Sequence, residues 1–205
     1  YGLNNDLTSS YGRRCLMARR LVERGVRVVQ VYIESQIWDN HSNIDKGLRY
    51  CCGKTDQPVG ALLRDLKQRG LLDSTLVVWG GEFGRLPIAQ LPDGTPSEVA
   101  GRDHNKNAMV TWFAGAGIKG GTQYGATDEL GFAAVENKVS VQDWHATILH
   151  LLGLNHERLI FDRLGLEEKL THVFGAGGAG STARVANLKA HKAISVGHKD
   201  RDGFV

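Results

Sequence analysis

Apolar and polar positions follow helical and strand periods in turn over the first 81 residues of the chain. Residues 11–24 place apolar side chains at helical spacing among arginines, which predicts an amphipathic helix that ends near Gly25. Residues 26–34 are rich in β-branched side chains and predict a strand that is buried on both faces. A second helix over residues 55–68 and a second strand over residues 74–81 complete a strand–helix–strand unit, which builds a parallel sheet.

The rest of the pattern predicts shorter elements and one change of composition. After a long polar loop over residues 82–107, residues 108–115 predict a third strand, and residues 141–152 predict a helix. We therefore expect an α/β fold whose mostly parallel sheet is sandwiched by helices, in one unit over residues 1–174. Residues 175–205 are rich in Gly, Ala, Ser and Lys, and we expect a low-complexity, mobile tail there.

Charge and composition exclude several classes of protein. The net charge of +3 arises within residues 175–205, which hold five basic and two acidic side chains, so that residues 1–174 are formally neutral. A neutral body does not indicate a nucleic-acid partner. No apolar run approaches the length of a membrane span. The three cysteines contain no CxxC pair, so we expect neither a thiolate zinc site nor a disulfide framework.

Three polar stretches, WDNH, GGEFGR and GRDHN, follow predicted strands or end the loop beyond them. Ligands of open parallel sheets bind outside the carboxyl ends of the strands, where these stretches are expected to meet. Carboxylate and imidazole groups together suit zinc or a similar divalent ion. The candidate residues are Asp39, His41, Glu82, Arg85, Arg102, Asp103 and His104.

Each stretch also has a structural interpretation. Asp39 and His41 fit turn residues that satisfy backbone donors, and Glu82 with Arg85 fits a local ion pair. The coincidence of three such stretches at one predicted sheet edge brings the metal hypothesis level with these alternatives. His145, near the start of the helix over residues 141–152, could reach the site, but packing is the preferred interpretation.

Several long stretches, in order along the chain, resemble the domain of unknown function 1501 family. They include YGRRCLMARRLVERGVRVVQV, WDNH, LLRDLKQRGLLDSTLVVWGGEFGR, GRDHN, GIKGGTQYGATDELG and DWHATILHLLGLNHERL, and together they cover nearly all of residues 1–173. The family is similar to bacterial sulfatases of the alkaline phosphatase superfamily. By this resemblance, the chain corresponds to the C-terminal half of such a protein.

The resemblance implies roles for particular residues. Asp39 and His41 would bind a first metal together with the distant His104, and Glu82 would stand at a second metal position. Phe83 stands where that second position is expected to have a histidine, so His145, Asp103 or Asp39 would have to compensate. Arg85 or Arg102 would bind the anionic group through bidentate hydrogen bonds. The nucleophile would lie outside this chain.

The leading expectation is a metal-dependent hydrolase of sulfate or phosphate esters, with only part of the site in this chain. Its substrate would be a small anionic ester, and its cofactor a divalent ion, namely zinc, calcium, magnesium or manganese. The alternative is a non-catalytic binding or scaffold protein that kept the fold but lost metal ligands, as Phe83 suggests. The family resemblance also suggests an exported or cell-envelope location, whereas the sequence does not indicate an oligomeric state.

Overall fold

The computed structural model describes residues 1–91, 96, 99–169, 171 and 192–197. Its helices and strands, in chain order, are α1 (Ser9–Glu23), β1 (Val28–Tyr32), α2 (Ile44–Gln68), β2 (Thr75–Gly80), β3 (Gly84–Arg85), β4 (His104–Asn105), β5 (Trp112–Gly115), β6 (Ala126–Thr127), β7 (Ala134–Glu136), α3 (Val141–Leu151), β8 (Phe161–Arg163), β9 (Leu166–Glu168) and β10 (Lys192–Gly197). A short 3-10 helix, Leu72–Ser74, precedes β2. Among the described residues, no helix combines the length and apolar character that a membrane span requires.

A four-stranded sheet with the order β1-β10-β2-β5 forms the centre of the described structure. β10 pairs in parallel with both β1 and β2, whereas β5 pairs antiparallel with β2. The strand expected over residues 108–115 therefore begins only at Trp112 and runs against its neighbour. The sheet is mixed, and the expectation of a mostly parallel, sulfatase-like sheet stays a prediction.

Helices cover both faces of this sheet. The side chains of β2 alternate between the two faces and therefore contribute to two separate hydrophobic clusters. Val77 packs with α1 and α2, in a cluster that includes Tyr11, Val22 and Leu66. Leu76 and Val78 face the opposite side, where they pack with Leu151 of α3 and with Phe113 and Trp144. This two-sided burial explains why the sequence of β2 is an almost continuous apolar run.

The second helix begins 11 residues earlier than the sequence predicts, at Ile44 rather than at residue 55. Pro58 would stand in the first turn of a helix over residues 55–68, but it lies inside α2 and deprives the Lys54 carbonyl of its helical N–H donor. Cys51, Val59, Leu62 and Leu66 form a buried stripe along α2. Val59, Leu62 and Leu66 pack in one hydrophobic cluster with residues of α1, and this packing stabilises the helix despite the proline, so tertiary contacts override the local signal.

The segment expected to form a long loop, residues 82–107, is pinned at several points. β3 pairs antiparallel with β4, so that Arg85 lies opposite His104. An isolated bridge joins Gln90 to Gly101, and another joins Ser42 to Ala100. These contacts hold the base of the segment against the loop that follows β1.

The described part of the predicted tail forms a strand. Residues 192–197 form β10, between β1 and β2, where the sequence predicts no regular structure. The remainder of the predicted tail, residues 175–191 and 198–205, lies outside the described residues. All three cysteines, Cys15, Cys51 and Cys52, are free thiols.

Candidate metal centre

Three separate segments bring polar side chains to one point beyond the sheet. Asp39 and His41 lie in the loop after β1, Arg85 lies on β3, and His104 lies on β4. The backbone N–H of Arg102 donates to the carbonyl of Asn40 at 3.1 Å, which joins the loop after β1 to the chain just before β4. The polar stretches that the sequence analysis expects at a common edge are therefore neighbours in space.

Asp39, His41 and His104 form a compact triangle of ligand atoms. Nε2 of His41 lies 3.0 Å from Nε2 of His104. Oδ1 of Asp39 lies 3.0 Å from Nε2 of His104 and 3.1 Å from Nε2 of His41. Among the described residues, these three constitute the group of potential ligands whose atoms all lie within 4.8 Å of one another.

The distances between the three ligand atoms are those expected around a single metal ion. For metal–ligand bonds of about 2.1 Å, neighbouring ligands are about 3.0 Å apart on an octahedral ion and about 3.4 Å apart on a tetrahedral one. The observed separations match the octahedral value and need only a small expansion for the tetrahedral value. The side chains of His41 and His104 are 38% and 41% exposed, so the cluster is open on one side.

Arg85 fixes the carboxylate of this cluster. Its Nη2 donates to Oδ1 of Asp39 at 2.5 Å, and its Nη1 donates to the carbonyl of Arg102 at 3.1 Å. Burial raises the pKa of Asp39, but hydrogen bonds from Arg85 and His104 outweigh it and lower this pKa to about 2. The carboxylate is therefore ionised at neutral pH, as a metal ligand must be.

Arg102, the second arginine predicted to bind an anion, makes a hydrogen bond within the protein. Nη1 of Arg102 donates to the carbonyl of Leu86 at 3.0 Å, across the base of the pinned segment. Both guanidinium groups thus hydrogen-bond within the protein. Their binding of an anionic group stays a prediction.

The remaining predicted ligands surround the triangle or lie outside it. Asp103 accepts from the backbone N–H of His104 at 2.8 Å, and its Oδ1 lies 3.8 Å from Nδ1 of His41. Glu82 is exposed and is not part of the three-residue group. His145 packs edge-on against Trp144 on α3, where burial lowers its pKa, and it too lies outside the group.

Phe83, at the position where the family resemblance expects a ligand, contacts a ligand instead. Its ring centroid lies 4.0 Å from that of His104, with the planes tilted by 37°. The guanidinium carbon of Arg85 lies 5.9 Å from the Phe83 centroid. Phe83 therefore restricts the orientation of the His104 ring and borders Arg85.

Sequence reasoning missed two residues that support the triangle. Oε1 of Gln90 accepts from Nδ1 of His41 at 2.8 Å. Asn105 is buried, and its amide donates to the carbonyls of Gly131 and Phe132, which anchors β4 next to His104. Neither residue has a local motif, although Asn105 directly follows a predicted ligand.

A glycine allows the close approach of two loops at this centre. A Cβ atom on Gly101 would overlap the main chain of His41. Because Gly101 also bridges to Gln90, its small size lets the strand that leads to His104 lie against the loop that carries His41. The GRDHN stretch thus contributes its glycine as well as its histidine.

Comparison with known proteins identifies a family without a known activity. A family model described as "Protein of unknown function (DUF1501)" matches residues 1–177. No curated protein and no solved structure matches the chain significantly.

Proposed function

The chain belongs to the DUF1501 family of proteins of unknown function, and we propose that it is a metal-dependent hydrolase of sulfate or phosphate esters that carries part of its site in this chain. The observation that supports the proposal is the convergence of Asp39, His41 and His104. The alkaline-phosphatase-like fold and the small anionic ester substrate are parts of the same proposal, as the sequence resemblance implies them.

The chemistry of the donor set favours some metals over others. Two imidazole nitrogens and one carboxylate suit zinc, manganese and related transition ions. Calcium and magnesium prefer oxygen ligands, and the triangle offers one such atom. Of the four ions considered from the sequence, we therefore propose zinc or manganese.

The protein residues have separable tasks in this proposal. A bound divalent ion would polarise the ester oxygens and stabilise the charge that develops during displacement. Arg85 holds Asp39 ionised and oriented, and Phe83 packs on the ring of His104. The open side of the triangle leaves room for a small anion to approach, as a catalytic metal site requires.

The competing proposal is a binding or scaffold protein that retains the fold without the chemistry. Phe83 favours it, because a phenyl ring has no donor atom to supply to a second metal. A protein of this type would hydrolyse no ester. Its stability would also be unchanged when metal is removed by a chelator.

Metal binding is the first test of the proposed function. The purified chain is loaded with zinc, manganese, calcium or magnesium, and bound metal is measured by elemental analysis and titration calorimetry. We expect tight binding of zinc or manganese in the unchanged chain and its loss in His41→Ala and in His104→Ala. His156→Ala is the matched control, because His156 pairs with Thr171 and lies outside the ligand group.

Hydrolysis of a panel of sulfate and phosphate esters is the second test. Because part of the site is expected outside this chain, the assay uses the metal-loaded chain and, beside it, a longer natural protein that contains it. Activity that disappears in His41→Ala and His104→Ala supports the proposal. Binding of none of the four metals would overturn it. Absence of hydrolysis in the longer protein, together with a stability that a chelator leaves unchanged, would favour the scaffold.

A further inference from the structure

We propose that Gln90 fixes the ring tautomer of His41, so that the lone pair on Nε2 of His41 faces Asp39 and His104. The proposal assigns a positioning role to a residue that does not itself belong to the ligand triangle. It rests on the proposed metal site for its purpose, but the tautomer itself is a property of the metal-free chain.

The backbone holds Gln90 firmly next to His41. The N–H of Gln90 donates to the carbonyl of Gly101 at 2.8 Å, and the N–H of Gly101 donates to the carbonyl of Gln90 at 3.0 Å. Gly101 in turn lies so close to His41 that a Cβ atom would overlap the His41 main chain. Gln90 is half-buried, and its side-chain amide is therefore presented to the ring from a fixed position.

The contact between the two side chains determines where the proton lies. Oε1 of Gln90 is 2.8 Å from Nδ1 of His41, and an amide oxygen can only accept a hydrogen bond. Nδ1 must therefore carry the hydrogen. A neutral imidazole has one N–H, so Nε2 of His41 carries the lone pair.

The same assignment settles the protons of the triangle. Nε2 of His41 and Oδ1 of Asp39 are then both acceptors, although they lie only 3.1 Å apart. Nε2 of His104 is 3.0 Å from each of them and is the donor that both can share. Two lone pairs that face each other at this distance repel, and a cation between them would remove that repulsion.

Among the described residues, the nearby carboxylate of Asp103 does not replace Gln90 as the acceptor. Oδ1 of Asp103 lies 3.8 Å from the same nitrogen of His41, which is beyond hydrogen-bond distance. In metal sites, the histidine ring nitrogen that does not bind the metal commonly donates its hydrogen to an oxygen acceptor, which orients the ring. Gln90 takes that place here without any local sequence signal.

Nitrogen NMR of the histidine rings tests the tautomer directly. The metal-free chain is labelled with ¹⁵N-histidine and studied at about pH 8, above the ordinary histidine pKa of about 6.5. Signals of His41 are identified by their absence from His41→Ala. We expect His41 to carry its hydrogen on Nδ1 in the unchanged chain and in Gln90→Glu, which keeps an acceptor, and to lose that preference in Gln90→Leu.

Metal affinity gives a second readout. Zinc binding should weaken by about 10-fold to 100-fold in Gln90→Leu and recover in Gln90→Glu, as expected for the outer partner of a ligand. Gln68→Leu, at an exposed position at the end of α2, is the matched control and should leave the affinity unchanged.

The outcomes separate this proposal from the proposed function. A His41 ring with its hydrogen on Nε2 in the unchanged chain, or an unaltered tautomer in Gln90→Leu, would overturn the role of Gln90 even if the chain binds zinc. The expected tautomers in a chain that binds no metal would support the role of Gln90 in fixing the ring and would overturn the metal site.

Discussion

Two aspartates in this chain lie at the centre of polar clusters, and their partners differ in one chemical respect. Asp65 joins α2 to α1 by accepting from the Tyr1 hydroxyl at 2.7 Å, from Nε of Arg19 at 2.9 Å and from Nε of Arg69 at 2.7 Å. Asp39 accepts from one arginine, Arg85, but its other two neighbours are histidine nitrogens.

The difference lies in what the partners can offer besides a hydrogen. At neutral pH, arginine and tyrosine side chains remain protonated and can only complete an ion pair or a hydrogen bond with Asp65. Imidazoles can present lone pairs, so the Asp39 cluster can accept a cation in place of its protons. Similar carboxylate surroundings thus indicate a structural tie in one region and a candidate metal centre in the other.

Replacing each of the two carboxylates by an amide should give the largest difference between the two clusters. Asp39→Asn should weaken zinc binding by more than about 100-fold, since loss of a ligand exceeds loss of an outer partner. Asp65→Asn should leave zinc binding unchanged but lower the free energy of unfolding by about 2 kcal/mol, because Arg19, 6% exposed, keeps Glu23 but loses the charge of its second carboxylate partner. Calorimetric titration and urea unfolding measure the two effects.

Asp45→Asn serves as the control for this comparison. In the described part of the chain, Asp45 pairs with Arg49, one turn along an exposed face of α2, and the loss of this pair should alter neither quantity measurably. A fall in zinc affinity in Asp65→Asn as large as that in Asp39→Asn would erase the distinction between the two clusters.

Substitution of Gly101 should weaken zinc binding at the Asp39 cluster and leave the hydrogen bonds of the Asp65 cluster intact. Gly101→Ala places a methyl group against the main chain of His41, and the two loops must separate. We expect zinc affinity to fall by about 10-fold, as for a displaced outer partner, with overpacking costing about 1–3 kcal/mol of stability.

Gly120→Ala is the control for the methyl group itself. A Cβ atom on Gly120 meets no atom within 4 Å, and its backbone has no positive φ. Unchanged zinc affinity in Gly101→Ala would mean that the close contact does not position His41.

The stability that Asp65 contributes should be lost gradually as the pH falls. Burial raises the pKa of Asp65, but hydrogen bonds from Tyr1 and Arg69 and the charges of Arg19 and Arg69 outweigh it, so this pKa lies below its ordinary value. Such a group stabilises the fold above the unfolded pKa of about 3.9, and this stabilisation is lost as the pH falls through the lower folded pKa.

The pH dependence of unfolding measures this effect. Below about pH 4, the free energy of unfolding should fall more steeply in the unchanged chain than in Asp65→Asn. Urea titrations at a series of pH values provide the slopes. Parallel curves for the two proteins would show that Asp65 gains no stability from its partners.

Elements with strong local signals could be predicted from the sequence. The helix expected over residues 141–152 is α3, which begins with a reciprocal cap between Ser140 and Asp143. The β-branched runs likewise indicated β1 and β2 to within a few residues. In α3 and β2, local preference and burial favour the same structure. β1 was expected to be buried on both faces, but Val31 alone of its five residues is buried.

Elements that depend on distant contacts could not be predicted in the same way. The first half of α2 contains Gly47 and Gly53 and precedes Pro58, so its helical state depends on tertiary contacts such as the one between Sγ of Cys51 and the carbonyl of Ile37. β3 and β4 are two residues long, and neither forms without the other. Sequence patterns indicated the candidate ligands Asp39, His41 and His104. They could not indicate Gln90, because its role depends on its contact with the His41 ring in the folded chain.

The place of β10 in the sheet has a consequence for how the chain folds during synthesis. β1 and β2 each pair with β10, so one edge of each strand remains without its partner until residue 197 is made. At the usual rates of translation of about 5–20 residues per second, β2 waits roughly 6–23 s for that partner. Over this interval, a nascent chain exposes two strand edges with unpaired backbone N–H and C=O groups, which makes it a candidate for chaperone binding and for pairing with a neighbouring nascent chain.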